Sequence, residues 1–306
     1  MFEKRGLPSH VIDSIEQVYQ YIISNEVKYA EVITQKYLSG GNKGAVYLLS
    51  VKTRPDQITK MCVKQIANDN YTAQPDFENC KAMYDKDFLF SFCKDNANSY
   101  YTMPFFPGES LETLIKNGHL DEETRLEIFK KIVLAVNVMH GIGVIHRDIK
   151  AANIIVNYDS AQYKVIDVKI IDFGRSIRIF DGDPHSLRPK TGYVEDLALA
   201  NSNSIFTQIR RHFQKQTPRE YLGMPIFLKS ENQASVRPGD DIGFRSDYYS
   251  MGVLFKALVP EKAHLAQNLV KSMGVDRDAA YYQLLMDVGI SIEELTPKKA
   301  FAASTK

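Results

Sequence analysis

Cysteine is scarce in this sequence: Cys62, Cys80 and Cys93 are the only three in 306 residues. An odd number with no C-x-x-C spacing excludes a disulfide framework or a zinc site as the organising device, and fits a reducing cytosol. Charge of one sign is not in excess either. The formal net charge is +1, so nothing draws the whole chain toward nucleic acid or an anionic membrane, and no nucleic-acid partner is expected. No apolar run approaches the roughly 18 residues that a membrane span needs, and the first residues lack the h-region of a cleaved signal. Internal repeats and low-complexity tracts are absent as well. The expectation is a soluble, cytoplasmic protein.

What is present is an ordinary globular composition, 44% hydrophobic and 25% charged, in a chain long enough for one large domain or two lobes sharing a cleft. After Pro8 and Ser9, the residues Val11, Ile12, Ile15, Val18, Tyr19, Ile22 and Ile23 recur at helical spacing. They predict an amphipathic helix inside an N-terminal extension over residues 1–31. Its stripe is expected to pack on the domain, with a partner-binding helix as the alternative. From Lys36 to Ile66 the pattern turns to hairpins, broken by Ser39-Gly40-Gly41-Asn42-Lys43-Gly44 and near Arg54-Pro55-Asp56.

A helix is expected from about Pro75 to Phe92, then a buried strand from Tyr100 to Phe106, ending at Pro107-Gly108. Two helices follow, Leu111 to Asn117 and Glu122 to Gly141, the second carrying Leu126, Phe129, Ile132, Val133, Val136 and Met139 on one side. Ile154 to Asn157 and Val168 to Ile171 read as short strands. This order predicts an α+β, bilobal chain: a small β-rich lobe over 32–106 and a larger, mainly helical lobe over 107–306, with a hinge near Pro104 to Gly108.

The run His146-Arg147-Asp148-Ile149-Lys150-Ala151-Ala152-Asn153 lies just after an apolar helix and just before a strand. Transfer of a phosphoryl group demands positioning and charge neutralisation more than covalent chemistry. Asp148 would orient a hydroxyl and accept its proton, Lys150 would reach the moving phosphate, and Asn153 would offer a neutral oxygen to a hard divalent cation. The bland reading is a polar loop before a strand. Lys64, in Met61-Cys62-Val63-Lys64, is unusual inside an apolar strand unless it is paired.

With that run followed by Ile170-Ile171-Asp172-Phe173-Gly174, the sequence resembles the eukaryotic-type protein kinase superfamily. The resemblance implies a bilobal kinase fold, ATP with Mg²⁺ or Mn²⁺ as cofactors, and a protein substrate. It makes Asp172 a metal ligand beside Asn153, and Phe173 a packing switch. Ser39, Gly40, Gly41, Gly44 and Val46 match its glycine-rich loop, with Ser39 replacing the first glycine; by itself the segment would be a plain hairpin turn. Lys64 matches its phosphate-binding lysine, and Glu78 is expected as the ion-pair partner, with Asp85 and Asp87 as weaker alternatives.

Tyr101 to Gly108 matches the hinge, with Met103 as gatekeeper and adenine expected on the carbonyl of Pro104 and the N–H of Phe106. Pro104 has no N–H, but that position needs only an acceptor. Val46, Cys62 and Ile155 would sandwich the ring, or would serve as core packing. Ser246 to Gly252 matches the start of a long central helix whose Asp247 would hold the catalytic-loop backbone. Gly223 to Glu231 matches, in degenerate form, the segment that closes the activation loop, with Arg277 as a guess for the partner of Glu231.

The sequence departs from the family between Asp172 and Glu231, where an insertion over about 175–222 lengthens the activation segment. Val194 to Lys215 suits a helix bearing Arg210, Arg211 and Lys215. This is either a solvated basic face or a docking site for an activating protein or anionic ligand. Met224 stands where serine/threonine kinases usually carry threonine, whereas Lys150 favours that type. Thr191, Tyr193, Ser204, Thr207 and Thr217 are candidate phosphosites that Arg147 would pair with. An abbreviated C-terminal region and the polar tail from Ser291 to Lys306 resemble bacterial effector kinases delivered into host cells; frayed termini look the same. Two rivals share parts of this pattern, a small-molecule kinase of the aminoglycoside or choline type and a pseudokinase that binds without reacting.

Overall fold

The computed structural model describes residues 6–23, 31–41, 44–54, 57–68, 73–84, 90–118, 120–162, 164–178, 244–272 and 275–291. Contacts divide the chain into two compact units, Met1–Phe106 and Pro107–Lys306. In the first, α1 (Ser9–Ile23) precedes the long strands β1 (Glu31–Gly41), β2 (Gly44–Arg54) and β3 (Gln57–Ala67). Then come α2 (Ala73–Tyr84), β4 (Phe92–Lys94) and β5 (Asn98–Pro104). The strands form one antiparallel sheet in the order β1-β2-β3-β5-β4.

Register assigns the two faces of that sheet different tasks. Tyr47 stands opposite Val63, which stands opposite Thr102; Leu49 stands opposite Met61. Directly opposed residues share a face. On this face Ala45, Tyr47, Leu49, Val51, Met61, Val63 and Tyr100 form a buried cluster with Leu7, Val11 and Ile15 of the N-terminal segment. Val11 and Ile15 of the α1 stripe therefore pack on their own domain, with Ile12 against them, and each such side chain removed from water contributes about 1.5–3 kcal/mol. The opposite face carries Val46 opposite Lys64, Cys62 opposite Met103, and Lys64 opposite Tyr101.

Of the helix expected from about Pro75 to Phe92, α2 covers the described residues through Tyr84. Phe92 belongs to β4, opposite Tyr101. Phe77 of α2 packs among aromatic residues outside the helix, its ring lying 6.2 Å from Phe90, 5.0 Å from Phe92 and 5.7 Å from Tyr101.

The second unit opens with β6 (Glu109–Ser110), α3 (Leu111–Asn117) and α4 (Glu122–Gly141), followed by β7 (Val144–Ile145). A 3₁₀ turn at Ala151–Asn153 leads into the hairpin of β8 (Ile154–Asp159) and β9 (Lys164–Ile170), and β10 (Ile177–Arg178) pairs back on β7. Beyond them lie α5 (Phe244–Leu258), a 3₁₀ segment Pro260–Ala266, α6 (Gln267–Lys271) and α7 (Val275–Asp287). The helices start where the sequence offers a cap: Ser110 accepts from the Thr113 N–H and Asp121 from the Thr124 N–H. Gly108, at φ +124°, is obligatory, because a Cβ there would lie 2.3 Å from the Val156 carbonyl oxygen. Phe129 of α4 meets Phe255 of α5 at 4.8 Å in the core.

Together these elements give an α+β kinase-type fold with a β-rich N-terminal lobe and a mainly helical C-terminal one. Among the described residues no helix is long and apolar enough to cross a membrane. Asp85, Asp87, the Val194 to Lys215 segment with Arg210 and Arg211, the five candidate phosphosites, Met224, Glu231 and the tail from Ile292 lie outside the described residues.

Candidate active site

Lys64 projects from β3 on the face opposite α1, and its ammonium lies 2.5 Å from Oδ2 of Asp76 on α2. The expected partner, Glu78, is exposed and accepts instead from Gln74, one helical turn earlier, at 2.9 Å. The reason is helix geometry. Residues two apart point about 200° away from each other around an α-helix, so only one of the two acids can face the strand. The buried stripe of α2 is Ala73, Asp76, Asn79 and Cys80, at the i, i+3, i+4 spacing, and it excludes Glu78. The Asp76 side chain is 0% exposed and that of Lys64 16%.

The glycine-bearing segment is the hairpin end of β1 and β2, with Ser39 opposite Val46, Gly40 opposite Ala45 and Gly41 opposite Gly44. Gly44 cannot carry a side chain, since a Cβ would sit 2.1 Å from the Gln65 carbonyl oxygen of β3. On the same sheet face as Lys64, Cys62 is buried, which pushes its thiol up to about 12. Met103 and Pro104 end β5, and the Phe106 ring packs against Tyr84 of α2 at 4.8 Å. Ile155 sits on β8 in the second unit, opposite Lys169.

In that second unit the run from His146 to Asn153 is held by bonds to both its backbone and its side chains. Asp247, fully buried in the first turn of α5, accepts the His146 N–H at Oδ2 (2.9 Å) and the Arg147 N–H at Oδ1 (2.8 Å). The resemblance implied this contact. His140, from the last turn of α4, donates its Nε2–H to Oδ2 at 2.8 Å; it carries no motif that would single it out in the sequence.

The imidazole of His146 is fixed at both ends. Its Nδ1 accepts the Asp148 N–H at 3.2 Å, so Nε2 carries the proton and donates to the Ile171 carbonyl at 3.2 Å. The same ring lies 5.2 Å from Phe173. Asn153 Nδ2 donates to the Asp148 carbonyl at 2.9 Å, and the Ile171 N–H donates to the Asn153 carbonyl at 2.9 Å. The segment carrying Asp148 and the one carrying Asp172 are thereby stitched together. Arg147 and Asp172 both adopt left-handed backbone, at φ 61° and 68°, a conformation that costs a non-glycine residue of order 1 kcal/mol or more.

The side chains that the sequence singled out here are Asp148, Lys150, Asn153 and Asp172. Lys150 Nζ lies 3.0 Å from Asp148 Oδ2. Asp148 Oδ1 is buried and has no hydrogen-bond partner among the described residues. With Nδ2 of Asn153 committed to backbone, its amide oxygen remains as an acceptor, and Asp172 is exposed. Among the described residues no cluster of three His, Cys, Asp or Glu side chains could cage a metal. The Asn153 amide oxygen and the Asp172 carboxylate are oxygen donors of the kind that could hold Mg²⁺, which is usually bound by one or two protein oxygens together with phosphates. Arg277, expected near Glu231, is buried, lies 4.9 Å over the Tyr249 ring and donates to the Ser272 carbonyl.

Comparison with known proteins agrees with this geometry. Residues 34–195, just over half of the chain, match the family model described as Protein kinase domain. The chain is similar to a probable serine/threonine protein kinase IRE of Arabidopsis thaliana, at 26% identity over 83% of this chain and 21% of that protein. It is similar to IRE4 of the same plant at 31% identity, over 56% of this chain and 15% of that protein. Similarity to the serine/threonine-protein kinase PknD of Chlamydia muridarum is 25% over 72% of this chain and 23% of that protein. The chain spans about a fifth of the length of these curated relatives. From the family match, the paired Lys64 and the stitched loop from His146 to Phe173, the chain belongs to the protein kinase domain family.

Proposed function

We propose that this chain is an ATP-dependent protein kinase that transfers a phosphoryl group to a serine or threonine hydroxyl. The observation that carries the reading is Asp148: its N–H is held by His146 Nδ1 at 3.2 Å, its carbonyl accepts from Asn153 Nδ2 at 2.9 Å, and its carboxylate meets Lys150 Nζ at 3.0 Å. In this role Asp148 aligns the acceptor hydroxyl and takes its proton, while Lys150 beside it neutralises charge on the phosphoryl group in flight. Lys64, braced by Asp76, holds the phosphates of the donor. Asn153 and Asp172 would hold Mg²⁺, which supplies charge neutralisation when bound. The Ser39 to Gly44 hairpin covers the phosphates, and Val46, Cys62, Met103, Pro104, Phe106 and Ile155 serve the adenine. Lys150 and the similarity to proteins named as serine/threonine kinases support serine/threonine preference.

The test is incubation with γ-labelled ATP and Mg²⁺ in the presence of either a protein mixture or a panel of small alcohols. Label is expected in protein, and both Asp148→Ala and Asp172→Ala are expected to lose transfer by about a hundredfold or more while keeping the wild-type melting transition. Label found only in small molecules would favour the aminoglycoside-type reading. Equal activity in either variant would remove the assigned roles.

A further inference from the structure

Helix α1 lies before the residues matched by the family model, which begin at residue 34, so its function is not supplied by family membership. It crosses one face of the sheet and is tied down at both edges. On the β1 side, the Val32 N–H donates to Glu16 Oε1 at 2.9 Å and the Leu7 N–H donates to Gln35 Oε1 at 2.8 Å. On the other side, His10 lies 6.0 Å from the Tyr100 ring and 3.5 Å from Asp95 Oδ2. Between these ties Val11 and Ile15 are buried in the sheet's core cluster.

β1 needs such a tether. It is an edge strand, with β2 on one side only, so part of its backbone faces away from the ladder. Its pairing with β2 is interrupted twice, between Val32 and Thr34 and between Tyr37 and Ser39. Register shifts of this kind loosen a ladder locally and let the strand bend. The Glu16 and Gln35 bonds flank the first interruption, and the strand crosses the second before it reaches Ser39-Gly40-Gly41.

We propose that α1 is a brace for the phosphate-covering hairpin, and that Glu16 and Gln35 are positioning residues for nucleotide binding, acting through β1. The proposal rests on the reading of that hairpin as the phosphate cover. A tether on the edge strand sets how closely the hairpin's backbone N–H groups hold phosphate, so its loss should appear in affinity for ATP rather than in the transfer step.

The experiment uses the full chain, with Glu16→Ala, Gln35→Ala and the conservative Glu16→Gln, which keeps an acceptor oxygen. For each, KM and Kd for ATP, kcat and the melting temperature are measured. Glu16→Ala is expected to raise KM and Kd about fivefold, the scale of one lost hydrogen bond, with kcat within about twofold, and Glu16→Gln should restore most of the affinity. Gln35→Ala, at an exposed side chain, should shift ATP affinity in the same direction and guards against a Glu16 variant that fails to fold. A lowered melting temperature with unchanged KM and Kd would overturn the brace and leave α1 a packing element. Wild-type protein that binds no ATP at all would overturn the kinase reading and the brace together, whereas ATP binding that no variant alters would overturn the brace alone.

Discussion

Lys64 in the first unit and Asp148 in the second are held in opposite ways. Lys64 is positioned through a side chain, by one carboxylate on a helix that an aromatic cage seats against the sheet. Asp148 is positioned through backbone, in a loop whose amides are taken by Asp247 and His146. A side-chain pair can be made by any acid that the helix happens to turn inward, so both residue type and position can drift, as the inward-facing Asp76 illustrates. A backbone-held loop has no such freedom, because its donors are the peptide groups themselves and the acceptor must sit at one place.

The contrast can be broken most sharply at Asp247. Asp247→Ala would leave two buried amides and His140 without their acceptor, and is expected to lower stability by about 3 kcal/mol and abolish transfer; urea unfolding beside an activity assay would measure both. A smaller and more selective effect is expected at the lysine. Asp76→Asn should reduce kcat/KM by about tenfold to a hundredfold, the scale of a charge-assisted hydrogen bond, while Glu78→Gln stays within about twofold. Reversed results in that pair of variants would return the role to Glu78.

The smallest effect concerns the turn that receives α1. Burial acts against ionisation of Asp95, but the N–H groups of Ala97 and Asn98 and the Tyr100 hydroxyl outweigh it and hold the carboxyl below its ordinary value. A depressed carboxylate stabilises the fold fully above its unfolded value near about 4 and loses that contribution as pH falls through the folded one. The stability gap between wild type and Asp95→Asn should therefore be largest at neutral pH and close below pH ~4, as read from melts across that range.

Local signals carried much of the architecture. The bounds of α3 and α4 follow from Ser110 and Asp121 as caps and from a regular apolar period. The eight-residue loop and Asp172 carry their own pattern. What could not be read is the rotation of α2: its buried stripe of Ala73, Asp76, Asn79 and Cys80 has little apolar contrast, so the sequence does not say which acid faces β3. Strands of two or three residues such as β4, β6, β7 and β10 are too short to show a period. His140 escaped because its role depends on Asp247, a hundred residues away in sequence and adjacent only in the fold.

Arg147 and Asp172, both in left-handed backbone, also bear on engineering. A procedure that weighs backbone strain alone would favour glycine at each, since glycine adopts φ near +60° without steric cost. At Arg147 glycine would also remove a buried side chain whose Nε donates to the Arg175 carbonyl at 2.7 Å, and at Asp172 it would remove the carboxylate we propose for the metal. Relief of strain and turnover are expected to part at Asp172, and both positions should be kept fixed in any attempt to stabilise the chain.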